Sequence, residues 1–356
     1  MGVILAPGLF EGLEHLEAPE HGGRLNATAR RFNIPIAECI DLSTGINLNG
    51  WPVPSIPPEI FSRLPENDDA LVSSAIHYYQ VDNLLPVAGS QAAIQCLPML
   101  RPYSRVGIIN PAYQEHAYCW KKAGHDVQLL VAEDISAAID QLDVLLIVNP
   151  NNPTGLKFSA DQLMDWHARL NERNGWLIVD EAFMDASEND SMQTNSLLKF
   201  SQQRGLIVLR SLGKFFGLAG LRVGFVFAET QLIAKLANIL GPWTLSNPSR
   251  FIANGALLDE NWQIETRTNL AVQSKRLVSI LTDHGLEPSG GTELFQWICH
   301  DKAHQIYHFL ATHGIVVRYF KEPNSLRFGL PRDEGQWLKL SSTLSLMNLK
   351  MDAIFS

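Results

Sequence analysis

The chain has 356 residues, 46% of them hydrophobic and 18% charged, which is enough apolar material to bury a sizeable core in two domains. Its formal net charge of −9 argues against a nucleic-acid or anionic-membrane surface, because phosphate backbones recruit clustered lysine and arginine. The four cysteines, Cys39, Cys96, Cys119 and Cys299, show no C-x-x-C pairing and no histidine at ligand spacing, so neither a disulfide framework nor a metal site is expected.

Met1 to Pro7 lacks the basic lead and long apolar core of a leader, and no apolar run approaches the roughly 20 residues that span a bilayer. A cytoplasmic protein that does not engage membranes is the expectation. Residues 1–50 read as an arm with a small-domain segment: His21-Gly-Gly-Arg24 and Asp41-Leu-Ser-Thr-Gly-Ile-Asn47 carry polar groups on flexible backbone. His21, Arg24 and Asn47 are candidate ligand contacts, although a histidine before two glycines is equally a turn. The proline-rich run Trp51 to Pro58 cannot hold regular structure for long and leads into the main domain, placed at residues 51–248.

From Leu71 onward, short apolar runs alternate with amphipathic segments. Strands are predicted over Leu85–Ala88, Val106–Ile109, Val127–Val131, Val144–Val148, Trp176–Val179, Leu206–Leu209 and Val223–Phe227. Helices are predicted over Gln91–Leu100, Tyr113–Ala123 and Ala160–Arg173. This alternation predicts an α/β fold with a mostly parallel central sheet and helices on both faces, in which ligands bind at the carboxyl ends of the strands.

The chemically suggestive residues fall at those ends. Gly89-Ser90-Gln91 follows a strand and opens a helix, so it can cradle a phosphate, and Ser90 is equally a plain helix cap. Tyr113 can lie against a planar ligand or belong to the core. Asn149-Pro-Asn-Asn-Pro-Thr-Gly155 is a turn fixed by two prolines and a glycine that points amides into the cleft, and Asp180 follows the next strand. The stretch Ser211 to Gly224 carries one lysine, Lys214, among glycines at 213, 217, 220 and 224, with Ser211 and Arg222 offering a hydroxyl and a guanidinium to a phosphate. A long helix is predicted from about Pro248 to His284, followed by an α/β segment, and residues 249–356 read as a smaller C-terminal domain. Within it Arg327 lies inside an apolar strand, where a guanidinium needs an anionic partner.

The combination S-x-x-K followed by G-x-R, with the Asn149 to Gly155 turn and Asp180-Glu-Ala-Phe183, resembles the fold-type I enzymes dependent on pyridoxal phosphate (PLP), in the class I and II aminotransferase superfamily. The resemblance implies that Lys214 carries the cofactor as a Schiff base, Asp180 holds the pyridine nitrogen protonated, and Asn152 donates to the phenolic oxygen. It also implies that Gly89, Ser90, Gln91, Tyr113, Ser211 and Arg222 complete the cofactor site, that Arg327 grips a substrate carboxylate, and that the enzyme is a homodimer. Together with His21-Gly-Gly, Gly241-Pro-Trp243 and Leu326-Arg-Phe-Gly-Leu-Pro331, these motifs are most similar to the threonine-phosphate decarboxylases of cobalamin biosynthesis. That branch implies a small phosphorylated amino acid as substrate, with His21, Asn47 and Arg318 as candidates to hold its phosphate. Two positions depart from the aminotransferase pattern: Phe183 and Leu64 stand where relatives commonly have tyrosines. The alternatives are an aminotransferase of the histidinol-phosphate type and a non-catalytic binding protein with the same fold.

Overall fold

The computed structural model describes residues 17–66, 69–187 and 195–355; the leader reading of Met1 to Pro7 lies outside them. In chain order the strands are β1 (Ile40–Leu42), β2 (Leu84–Val87), β3 (Arg105–Ile109), β4 (Asp126–Leu130), β5 (Val144–Val148), β6 (Trp176–Asp180), β7 (Leu206–Ser211), β8 (Gly224–Ala228), β9 (Gly290–Thr292), β10 (Phe295–Cys299), β11 (Ile315–Phe320) and β12 (Ser325–Gly329). The principal helices are α1 (Leu25–Phe32), α2 (Ala70–Tyr79), α3 (Ser90–Cys96), α4 (Glu115–Lys122), α5 (Ala160–Asn171), α6 (Thr230–Leu240), α7 (Asn247–Leu258), α8 (Glu260–Asp283), α9 (Ala303–Thr312) and α10 (Glu334–Phe355). None of them is long and apolar enough to cross a membrane.

The larger sheet runs β2-β8-β7-β6-β5-β3-β4, parallel throughout except for β8, which is antiparallel to both neighbours. Continuous apolar strands such as Val-Leu-Leu-Ile-Val in β5 are what a sheet covered on both faces requires. The period of two divides them between the layers: Val144, Leu146 and Val148 pack with Trp120 and Leu232, whereas Leu145 and Ile147 pack with Leu163 and Trp166 of α5. The expectation of an α/β fold with a mostly parallel sheet holds.

The smaller sheet runs β1-β11-β12-β10-β9. Its edge strand β1 arrives from the amino-terminal segment and pairs parallel to β11, Ile40 opposite Ile315. Leu42 and Val317 carry this seam into the core. The result sets the backbone of residues 43–47 beside both Arg327 and the Lys214 loop.

One prediction is corrected. The single helix expected over Pro248 to His284 is two helices, α7 and α8, broken at Asp259, whose backbone (φ −86°, ψ 73°) is not helical. The Asp259 carboxylate accepts from Trp262 N and from Trp51 Nε1. An aspartate capping the second helix outweighs the continuous apolar period. The same bond pins the proline-rich segment.

Gly224, at the start of β8, is needed for close approach rather than for backbone freedom. A Cβ there would lie 2.6 Å from Ser90 N and 2.8 Å from Arg210 O, both main-chain atoms. Gly224→Ala is therefore expected to cost about 1–3 kcal/mol, read from urea unfolding, by pushing the start of α3 off the sheet. An unchanged midpoint would show that β8 and α3 are not held this tightly.

Candidate active site

Four segments bring their residues to the carboxyl edge of the larger sheet: β2 into α3, β5 into the Asn149 to Gly155 turn, β6 into Asp180, and β7 into the Ser211 to Gly224 stretch. They enclose an inner chamber of about 120 Å³, with Ser90, Tyr113, Asn152, Asp180, Lys214 and Arg222 in its wall. An outer chamber of about 290 Å³ adjoins it, shares Tyr113, Asn152, Lys214 and Arg222, and adds His21, Arg318 and Arg327.

Asp180 lines the inner chamber and is only 3% exposed. One of its oxygens accepts from Ala182 N at 3.0 Å, and the other lies 2.9 Å from His116 Nε2. A carboxylate of this kind only accepts, so the imidazole donates through Nε2. His116 is fully buried on α4 and escaped the sequence reading; its signal was a polar residue three positions after Tyr113, on the inward side of an amphipathic helix.

Asn152 is oriented by charge. Its Oδ1 accepts from Arg327 Nη1, which leaves the amide NH₂ as the group offered to the chamber. Asn151 fastens the turn behind it, donating at 2.8 Å to Pro111 O and at 2.8 Å to Thr154 Oγ1. Arg327 also donates to Ser43 O at 2.6 Å and stacks over Phe295. Burial pulls its guanidinium down to about 10, with Arg318 adding to the effect and Asp41 opposing it. Its Nε has no partner among the described residues, so a buried donor remains for an anion.

The Lys214 amine lies 5.3 Å from the centre of the Phe183 ring. Burial first, then the positive charges of Arg327 and Arg222, pull it down to about 8, against the attraction of Asp180. A neutral, nucleophilic amine is therefore within reach near physiological pH.

Arg222, in the same wall, adopts a left-handed backbone (φ 56°), and its guanidinium lies against Gly89. A Cβ on Gly89 would meet Arg222 Nη2 at 2.6 Å. With the Ser90 and Ser211 hydroxyls in the same wall this gives the chamber a cationic, donor-rich group of side chains. The Gln91 side-chain amide donates to Glu115 at 2.7 Å and accepts from Tyr113 Oη at 3.1 Å, so it holds the tyrosine ring, and its backbone N–H is the group it has to offer an anion.

The three substrate-phosphate candidates separate. His21 and Arg318 line the outer chamber, with His21 Nε2 bonded to Glu115 Oε1 at 2.6 Å and Arg318 donating to Glu20 O at 2.7 Å. Arg318 is directly opposite Arg327 in the β11–β12 ladder, so both project from one face of the sheet. Asn47 is corrected. It is 4% exposed, donates to Phe215 O and accepts from Asn49 N, so its amide is spent on backbone and braces the Lys214 loop. Leu64 is exposed in a separate groove with Arg63 and Phe251, outside both chambers.

These residues fit pyridoxal phosphate. The wall of the inner chamber combines a carboxylate, Asp180, an amine, Lys214, an amide, Asn152, and the hydroxyls and guanidinium of Ser90, Ser211 and Arg222, with Arg222 seated where only a glycine at position 89 leaves it room. The chain matches the model of the aminotransferase class I and II family over residues 63–347. It belongs to that family. A threonine-phosphate decarboxylase of Pseudomonas aeruginosa is 49% identical, covering 91% of this chain and 97% of its own. A threonine-phosphate decarboxylase of Sinorhizobium is 37% identical, covering 92% and 98%. Among solved structures, the histidinol-phosphate aminotransferase of Sinorhizobium meliloti in complex with pyridoxal-5'-phosphate superposes with a TM-score of 0.80 at 18% identity, over 97% of this chain and 99% of that one. The L-threonine-O-3-phosphate decarboxylase of Porphyromonas gingivalis gives 0.69 at 19% identity, over 81% and 91%.

The lowered Lys214 value has a measurable consequence. Reconstitution of the cofactor-free protein with pyridoxal phosphate needs the neutral amine, so its rate should rise with pH and level off above about 8. A rate still climbing towards 10.5, the ordinary lysine value, would show that Lys214 is not depressed.

Proposed function

We propose that this enzyme removes the carboxylate of O-phospho-L-threonine, giving the phosphate ester of 1-aminopropan-2-ol, with pyridoxal 5'-phosphate as cofactor. The observation that carries the reading is the pair of guanidinium groups in one chamber: Arg327, buried beside the amine, and Arg318, nearer the mouth. A small substrate that carries two anions, a carboxylate and a phosphate, matches that pair, and it is the substrate in the names of the relatives at 49% and 37% identity. In the same reading the protein serves cobalamin biosynthesis in the cytoplasm as a homodimer. The exposed Val53, Phe61, Leu64 and Trp243 support a partner surface.

When bound, the cofactor ring accepts the electrons of the bond broken at the substrate α-carbon. Asp180, held by His116 and by Ala182 N, would pair with the ring nitrogen, and the Asn152 NH₂ would donate to the phenolic oxygen. Ser90, Ser211 and Arg222 would hold the cofactor phosphate. Arg327 binds the substrate carboxylate, and Arg318 with His21 binds the substrate phosphate, so the molecule is clamped at both ends and the carboxylate is presented for loss. Lys214 Nζ, drawn down to about 8, takes up or releases a proton at neutral pH and can return one to the α-carbon. Phe183 packs against Phe295 under this amine and adds no second hydroxyl donor.

The test is product identification. With O-phospho-L-threonine as sole substrate, aminopropanol phosphate is the expected product. Formation of the corresponding keto acid, with the carboxylate retained, would replace this reading with an aminotransferase.

A further inference from the structure

A third cleft, of about 330 Å³, opens on the far side of the arm. One wall is a single face of α1 and its cap: Arg24, Ala27, Thr28 and Arg31 recur at the helical spacing of three and four. The other wall comes from α9 and β11, where Tyr307 stacks on Tyr319 with ring centres 5.8 Å apart and His304 meets Tyr319 edge-on at 5.3 Å. The cleft is continuous with the outer chamber, because Glu20, His21, Gly22 and Arg318 line both.

The charges here run against those of the molecule. The chain carries −9 overall, so a doubly charged anion approaching from solution meets a repelling field. Arg24 and Arg31 are exposed on this wall and have no ion-pair partner among the described residues. Arg318 is largely buried, and among the described residues its ion-pair partner is Glu20, 3.9 Å from Nη1 with a side chain that is 80% exposed. Among the described residues three guanidinium groups and one solvated carboxylate line the cleft itself, while Glu115 and Asp41 stand behind its wall, bonded to His21 and Ser43, so the lining carries a positive excess. It is focused in a concave, aromatic-walled space that ends at the reaction chamber.

We propose that this cleft is an outer phosphomonoester site, where Arg24 and Arg31 capture the phosphate of the incoming substrate and pass it to Arg318 at the mouth of the reaction chamber. The proposal rests on the phosphorylated-substrate reading above. Arg318 faces both spaces, so the phosphate exchanges partners one arginine at a time and never crosses an uncompensated stretch. The site acts on capture and leaves the chemical step to the inner residues.

The test is the double charge reversal Arg24→Glu/Arg31→Glu in the cofactor-loaded protein, with Arg24→Gln/Arg31→Gln as the graded control. At low salt kcat/KM for O-phospho-L-threonine should fall about tenfold in the reversed variant and less in the neutral one, while kcat stays within about twofold. The deficit should shrink as added salt screens the cleft. Binding of L-threonine, followed through the cofactor absorbance, should not change. An unchanged kcat/KM, or an equal loss for L-threonine, overturns the proposal. If the parent enzyme leaves O-phospho-L-threonine intact, the functional reading fails by itself. Calorimetry with orthophosphate then decides the cleft: loss of one binding event in the reversed variant supports it, and identical titrations contradict it.

Discussion

Replacing Lys214 by alanine is expected to slow carbon dioxide release from O-phospho-L-threonine by about 10⁴-fold or more, without unfolding the protein. In the proposed function the amine would serve both as the cofactor's anchor and as a proton carrier, and each role alone contributes orders of magnitude. The stability sign is opposite to the activity sign. In the cofactor-free protein Lys214 has a folded value of about 8 against an ordinary 10.5, so its protonated form opposes folding. That opposition is complete below about 8, declines as pH rises, and is gone above 10.5. The Lys214→Ala apo-protein should therefore melt higher than the parent at pH 7 and lose that advantage in alkali. A thermal scan at several pH values, set beside the activity assay, separates loss of chemistry from loss of fold. Retained turnover would remove Lys214 from the mechanism.

The second large effect is expected beneath the site. Arg210 on β7 is 1% exposed and bridges two fully buried carboxylates, Glu181 at 2.8 Å and Asp185. Arg267 supports the group by donating to Asp185 O, and Leu197 N donates to Glu181. Burial pushes both carboxyls up, with Arg210 opposing it. Arg210→Ala would strand two carboxylates in the core and should cost about 3–5 kcal/mol, measured by denaturant unfolding. Adding Glu181→Gln and Asp185→Asn should recover part of that loss. Because Asp180 precedes Glu181 and Ser211 follows Arg210, the same variant should also release pyridoxal phosphate more readily, read from its absorbance after dialysis. A cost below about 1 kcal/mol would mean that water or a neighbour replaces the arginine.

Much of this was legible in the sequence because the local signals agreed with the global fold. Val144 to Val148 is apolar on both faces and became the buried strand it predicts, and the turn, aspartate and lysine motifs that follow successive strands converged on one chamber. The features that escaped depend on tertiary placement. His116 and Glu115 are ordinary polar positions on a helix until α4 is laid against Asp180 and the arm. Asn47 sits in a motif that reaches the site, yet its side chain turns to Phe215 O, and only packing decides which way an amide on a loop points. The break at Asp259 failed for a different reason: one capping carboxylate competed with a long apolar period and won. The pairing of β1 with β11 spans most of the chain and leaves no local trace.

The most direct test of the central claim is to count carbon dioxide released per enzyme from O-phospho-L-threonine with every keto acid excluded. Many turnovers, with the cofactor in its aldehyde-derived form throughout, are the predicted result. A single conversion that leaves the cofactor as its amine, restored only when a keto acid is added, would contradict it and assign the two arginines to a transamination substrate.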